Sequence, residues 1–98
     1  MSLSPALRWR SVPIEALVLR EWDGEIVVRN ERSGSTHLLG PLASQVLKVL
    51  AAADRPLTSA EVEDRLAATG SSPGTAVEVA AVLSEFGRLG LAEPAAAA

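Results

Sequence analysis

With 98 residues, the chain has the length of one small domain, which leaves room for a compact core but little room for a deep internal active site. The absence of cysteine excludes disulfide bonds, thiolate metal sites and a cysteine nucleophile. The net charge of −3, with both signs mixed along the chain, argues against the basic stripe that is typical of nucleic-acid binders.

The sequence pattern predicts neither a membrane span nor an export signal. Its apolar runs are far shorter than the ~20 residues that cross a bilayer. The first residues contain Arg8 and Arg10 but not the apolar segment of a signal peptide. We therefore expect a cytoplasmic protein with neither a membrane nor a nucleic acid among its partners.

The first part of the chain predicts a β-hairpin behind a short arm. Met1–Pro13 has the pattern of an arm with little structure. Ala16–Trp22 alternates in the manner of a half-buried strand. Asp23 and Gly24 then predict a tight type I′ turn, because that turn needs a positive φ at both central residues. Glu25–Asn30 is the expected returning strand.

A second turn and a short strand complete the predicted sheet. Ser33 and Gly34 mark the turn, and Thr36–Leu39 is the third strand. The first 40 residues therefore predict a three-stranded antiparallel meander.

Two helices are expected next. Pro41 suits the first turn of a helix, which the apolar spacing extends to about Ala53. Thr58 is the expected N-cap of the second helix, and Glu61 three residues later completes a capping box. This helix is expected to end near Gly70.

After a predicted turn at Ser71–Gly74, a third helix is expected from about Thr75 to Leu89. Gly90 suits its C′ position, where an αL conformation is easiest for glycine. One apolar stripe runs along this helix, formed by Val79, Val82, Leu83, Phe86 and Leu89.

The element order β-β-β-α-α-α predicts an α+β, winged-helix-like fold in which a three-stranded antiparallel sheet precedes three helices. The hairpin comes first, whereas in the usual winged helix it follows the recognition helix. The expected division of the chain is an N-terminal arm at residues 1–13, the domain at residues 14–93 and a disordered tail from Pro94 to Ala98.

The residues do not form a recognisable catalytic set. His37 is the only histidine, and the sequence gives it no partner, so we interpret it as a surface or groove-lining side chain. Glu61, Glu63 and Asp64 cluster as a metal site would, but capping and a solvated first turn explain them more simply. No glycine-rich phosphate loop is present. We expect no enzyme activity, no cofactor and no metal.

The two tryptophans are interpreted as structural. Trp22 precedes the Asp23-Gly24 turn and is expected to stack across the hairpin. Trp9 lies in the arm, and it is expected to dock on the core or on a second copy of the chain, which would make a homodimer.

Several segments in order resemble the PqqD-like peptide chaperones, also called RiPP recognition elements. The most similar subgroup accompanies an HPr-kinase-related protein (the HPr-rel-A system). The resemblance covers about Trp9 to Glu93. It is carried by Trp22-Asp23-Gly24-Glu25, by Ser33-Gly34-Ser35-Thr36-His37-Leu38-Leu39, by Pro41-Leu42-Ala43 leading into Val46-Leu47, and by Leu83, Phe86, Gly90 and Leu91.

The resemblance implies a non-catalytic chaperone that captures the leader of a ribosomally made precursor peptide and presents it to a modifying enzyme or an HPr-kinase-related protein from the same gene cluster. The leader would add as a strand beside the third strand, in a groove against the third helix. The implied peptide-binding residues are Thr36, His37, Leu38, Leu39, Glu78, Ala81, Val82 and Glu85. The third helix carries Glu78 and Glu85 but only one cation, Arg88, so a basic leader is expected to be preferred over an acidic one.

Two other functions stay open on the sequence alone. A winged-helix DNA-binding regulator would need basic side chains on the third helix, which has one arginine and two glutamates. A protein–protein adaptor subunit would bind a partner without any peptide substrate.

Overall fold

The computed structural model describes residues 7–69 and 76–95. Within them lie six strands and three α-helices, together with a short 3₁₀ turn at Ile14–Ala16. The strands are β1 (Arg8–Ser11), β2 (Leu17–Trp22), β3 (Glu25–Asn30), β4 (Ser35–Leu39), β5 (Leu57–Thr58) and β6 (Ala92–Ala95), and the helices are α1 (Pro41–Ala52), α2 (Ser59–Ala68) and α3 (Ala76–Leu89). The turn expected at Ser71–Gly74, the expected helix ends at Gly70 and Thr75, and the tail beyond Ala95 lie outside the described residues.

The predicted meander is confirmed. Strands β2, β3 and β4 form an antiparallel sheet in that order. Trp22 pairs with Glu25 at the first turn, and Asn30 pairs with Ser35 at the second. Trp22 lies on the outer face of this sheet, across from Glu25, with 59% of its surface exposed.

The first turn has the geometry that its sequence predicts, since φ is +54° at Asp23 and +78° at Gly24. We expect Gly24→Val to lower the free energy of unfolding by about 1–2 kcal/mol, because a β-branched residue is strained at positive φ. No atom lies within 4 Å of the position that a Cβ would take, so the loss reports backbone strain and not a clash. Gly24→Asn is the matched control, because asparagine tolerates this region. Urea unfolding checks the pair, and equal losses for both variants would contradict the assignment.

A second sheet was not expected. Strand β1 lies between β5 and β6 and pairs antiparallel with both. The expectation of an arm with little structure is therefore wrong for Arg8–Ser11, and that of a disordered tail is wrong for Pro94 and Ala95. These strands are two to four residues long, which is too short to show an alternating pattern. Pro94 is compatible with β6 because β6 is an edge strand.

Trp9 docks on the core of its own chain, which confirms one of its two expected positions. It pairs with Leu57 and Pro94 in the second sheet. Its indole lies so close to α3 that a Cβ at Gly87 would come within 2.9 Å of the Trp9 ring. The small side chain at Gly87 therefore admits the indole.

The capping box of α2 is present and joins the second sheet to the helix. The Thr58 side chain accepts a hydrogen bond from the Glu61 amide, and the Thr58 amide donates to Glu61 Oε1 at 3.0 Å. Glu61 also accepts from Arg55 at 2.7 Å and from Arg8 of β1 at 3.0 Å. The Arg55 hydrogen bond, followed by that of the Thr58 amide, lowers the pKa of Glu61 to about 2.

This lowered pKa predicts a specific acid sensitivity. An unfolded glutamate titrates near about pH 4.3, so the stabilisation from Glu61 is complete above that pH and is lost as the pH falls to about 2. Glu61→Gln keeps the capping hydrogen bonds and removes the charge. We expect the variant to be less stable than the parent at neutral pH, and we expect this difference to shrink as the pH falls from about 4.3 through about 2. Urea unfolding as a function of pH measures the difference, and a constant difference across this range would contradict the prediction.

The end of α3 is fixed to the meander by a cap and a buried amide. Gly90 has φ +76°, and the Leu91 amide donates to the Phe86 carbonyl at 2.9 Å, as in a Schellman motif. Asn30 is buried at the end of β3 and donates from Nδ2 to the Gly90 carbonyl at 2.9 Å. These bonds hold the last turn of α3 beside the sheet.

The core lies between the meander and the three helices. Buried apolar side chains from both layers form one cluster, including Val28 and Leu39 from the sheet and Leu47, Leu83 and Phe86 from the helices. The architecture is α+β and winged-helix-like, with the hairpin first. Within the described residues, no helix is both long enough and apolar enough to cross a membrane.

Candidate functional site

A groove of about 460 Å³ lies between β4 and α3. This volume is within the range of ligand pockets. All of its walls come from β4, the start of α1 and the last two turns of α3. The lining residues are Thr36, His37, Leu38, Leu39, Gly40, Ala43, Val82, Glu85, Phe86 and Leu89.

The backbone of β4 borders this groove with a free edge. β4 is the last strand of its sheet, and no other described strand pairs with its outer side. The Glu31 amide donates towards β2, to the Ala16 carbonyl, whereas the Asn30 carbonyl accepts from Gly34 on the β4 side. The backbone N–H and C=O groups of successive strand residues point to opposite sides of the strand. Those of Asn30, Val28 and Ile26 therefore point towards β4.

The partners of those three residues on β4 are Ser35, His37 and Leu39. The backbone groups of Thr36 and Leu38 therefore point away from the sheet, to the open edge. Unpaired N–H and C=O groups in such a row are a template for an added strand. Leu38, beside this edge, is 67% exposed.

The two faces of β4 differ in chemistry. His37 and Leu39 lie on the inner face, beside Val28 and Ile26. Thr36 and Leu38 lie on the outer face and are exposed. Alternation requires one of the two leucines to face the core without saying which, and the structure shows that it is Leu39.

The helical wall of the groove is mainly apolar. Val79, Leu83 and Phe86 of the predicted stripe are buried, whereas Val82 and Leu89 are only half-buried and line the groove. Phe86 belongs to both environments: it is 1% exposed and its ring forms part of the groove floor.

The structure brings six of the eight residues implied by the resemblance to one groove: Thr36, His37, Leu38, Leu39, Val82 and Glu85. It does not bring Glu78 and Ala81 there, since neither lines the groove and both are exposed. Four lining residues were missed, namely Gly40, Ala43, Phe86 and Leu89. Phe86 and Leu89 were recognised as members of the apolar stripe, but the stripe alone does not show which flank faces β4.

The single charged group of the groove lining is Glu85. Arg88, one helical turn further, forms an ion pair with it and donates from Nε to Oε2 at 3.1 Å. This hydrogen bond raises the pKa of Arg88. The pairing offsets the negative charge at Glu85. It therefore weakens the preference for a basic leader that the sequence predicts.

His37 has an unusual environment in the groove. Its Nε2 atom is enclosed and has no hydrogen-bond partner, and it is the buried side-chain atom with this property among the described residues. His37 as a residue is half-buried and lines the groove. An enclosed polar atom without a partner costs free energy, so this nitrogen needs a physical explanation.

A second depression of about 400 Å³ lies between β1 and the end of α1. Its two arginines, Arg10 and Arg55, are already paired with Glu93 and Glu61. It also borders no free edge of β4. Within residues 7–69 and 76–95, no three acidic or histidine side chains lie close enough to hold a metal ion.

The fold has a counterpart among solved structures. The structure of TbiB1 in complex with the TbiA(beta) leader peptide superposes with a TM-score of 0.65 and 21% sequence identity. The match covers 90% of this chain and 99% of that one. It shows that the two chains share a fold over nearly their whole length. No family model matches this chain, and no curated protein matches it.

Proposed function

We propose that this chain is a non-catalytic peptide-binding module, which captures the leader of a ribosomally made precursor peptide by strand addition to β4. The observation that carries the proposal is the open backbone edge at Thr36 and Leu38 beside an apolar groove of about 460 Å³. Main-chain pairing along the edge supplies affinity, and the groove supplies specificity for alternate side chains.

The fold supports this proposal. TbiB1, with which the chain shares its fold, was solved with a leader peptide bound. The order of sequence segments also resembles the PqqD-like chaperones, as described above. Both lines favour a peptide ligand over the DNA-binding alternative, and the pairing of Arg88 with Glu85 takes one cation of α3 away from phosphate contacts.

A module of this kind has a second partner. We propose that the captured leader is presented to a modifying enzyme, or to an HPr-kinase-related protein, encoded in the same gene cluster. The support is the resemblance alone, so this part of the proposal has its own test. Co-purification of the two proteins should require the precursor peptide or be strengthened by it.

An NMR titration tests peptide capture. We expect the leader of the precursor from the same gene cluster to shift amide signals of β4 and of the Val82–Leu89 part of α3. We expect no comparable shifts in α2, which lies outside the groove lining. Shifts confined to α2, or none at saturating peptide, would refute the proposal. A short DNA duplex at low salt is the parallel probe, and tight binding there would favour the regulator instead.

A further inference from the structure

We infer that His37 selects the peptide: its Nδ1–H donates a hydrogen bond to an uncharged acceptor side chain of the bound strand, two residues from an apolar side chain that fills the groove. This inference rests on the proposed peptide capture and specifies its ligand. The recognised class is an extended peptide with a hydroxyl or carboxamide opposite His37 and an apolar residue opposite Leu39.

The position of His37 places the ring where a bound strand must pass. His37 is on the inner face of β4, next to Leu39 and opposite Val28. A strand paired with the open edge brings the Cβ of its neighbouring inner-face residue to about 5 Å from that of His37. The backbone groups of the bound peptide form their hydrogen bonds with the backbone of Thr36 and Leu38. The partner of the imidazole is therefore a peptide side chain.

The enclosure of one ring nitrogen decides which atom faces the peptide. Nε2 is enclosed and has no hydrogen-bond partner, whereas His37 as a whole is half-buried. Nδ1 is therefore the nitrogen that faces the groove. An enclosed N–H without an acceptor is rarer in proteins than an enclosed acceptor without a donor. The proton of the neutral ring is thus held on Nδ1, and His37 presents a donor.

The surrounding groove restricts the acceptor. Glu85 is the charged lining residue on the facing helix, and Arg88 offsets part of its charge, so the groove supplies no cation to pair with a carboxylate. The other helical residues of the lining, Val82, Phe86 and Leu89, offer no polar partner to a buried ionic group. Hydroxyl and carboxamide oxygens are the uncharged acceptors that remain among side chains.

Apolar lining residues cluster on the Leu39 side of this position. Gly40 follows β4 directly and Ala43 lies in the first turn of α1, and both line the groove together with Phe86 and Leu89. Inner-face positions of a strand are two residues apart. A peptide therefore meets the imidazole at one position and the apolar part of the groove two residues away.

The tautomer is tested first, without any peptide. The chain has one histidine, so ring-nitrogen signals come from His37 alone. In ¹⁵N-labelled protein, at a pH where the ring is neutral, we expect Nδ1 to have the chemical shift of a protonated nitrogen and Nε2 that of an unprotonated one. The opposite assignment, or an equal mixture of the tautomers, would overturn the inference and leave peptide capture untouched.

Selection from a library of linear random peptides displayed on phage tests the recognition. We expect the wild-type chain to enrich a hydroxyl or carboxamide residue two positions from an apolar one. His37→Phe should bind these selected peptides about tenfold more weakly and enrich an apolar residue at the first position instead. Val18→Ala, a change on the outer face of β2 and outside the groove lining, is the matched control and should keep the wild-type pattern.

The outcomes distinguish the role of His37 from peptide capture itself. Enriched peptides without an acceptor preference, or the same preference with His37→Phe, would overturn the role of His37 while supporting peptide capture. No enrichment on the wild-type chain would overturn both. Circular dichroism of each variant shows that the compared proteins are folded.

Discussion

Leu38→Pro is expected to weaken leader-peptide binding by at least about tenfold while the domain stays folded. The Leu38 amide points to the open edge of β4, so its loss removes no hydrogen bond to β3. Proline is tolerated at edge positions of this kind. The bound peptide, by contrast, loses the hydrogen bond from the Leu38 amide, and its backbone contacts the pyrrolidine ring instead.

Leu19→Pro is the matched control for this prediction. Leu19 pairs with Val28 on β2, which is the opposite edge of the same sheet, and its backbone points to that other open edge. If the peptide adds to β4, this variant keeps its affinity. Fluorescence polarisation with a labelled leader peptide measures both variants, and circular dichroism verifies folding. Equal affinities, or a loss confined to Leu19→Pro, would contradict strand addition at β4.

Phe86→Ala is expected to cost about 3–5 kcal/mol of unfolding free energy. The Phe86 ring is 1% exposed and belongs to the cluster in which the sheet packs on the helices. Its carbonyl also accepts the Leu91 amide that ends α3, but that bond is to the backbone and survives the substitution. The loss therefore comes from the cavity and from the removed apolar contact. A small domain has a total stability of only about 5–15 kcal/mol, so this variant is close to unfolding.

Phe86→Leu supplies the control because it retains most of the apolar volume. We expect it to cost well under half as much as the alanine variant. Urea unfolding followed by circular dichroism compares the two with the parent chain. If alanine and leucine cost the same small amount, Phe86 is not central to the core, and the floor of the groove must be assigned to other side chains.

Much of the local structure was predictable because its signals lie within a few residues. Asp23-Gly24 specifies a turn with two positive φ angles, and both are present. Thr58 and Glu61 specify a capping box three residues apart, which the structure contains. Gly90 has the positive φ of a helix C′ position. Each of these features depends on backbone dihedral angles and hydrogen bonds that are determined by residues close together in the sequence.

The candidate site was predictable only in part. Thr36–Leu39 was expected to be a short strand facing the third helix, and all four residues line the groove. The helix presents the flank of Val82, Glu85 and Leu89, and not that of Glu78 and Ala81. Periodicity fixes which residues share a stripe, but the rotation of a helix against a strand depends on packing against the rest of the core.

The sequence by itself determined the order of the main elements, their turns and caps, and therefore a meander followed by three helices. Only the tertiary structure decided the second sheet, in which Arg8 pairs with Thr58 and with Ala95. It also decided that Nε2 of His37 is enclosed. The physical reason is the same in both cases: strands this short, and the surroundings of one ring nitrogen, depend on contacts between residues far apart in the chain, which exist only after the core has assembled.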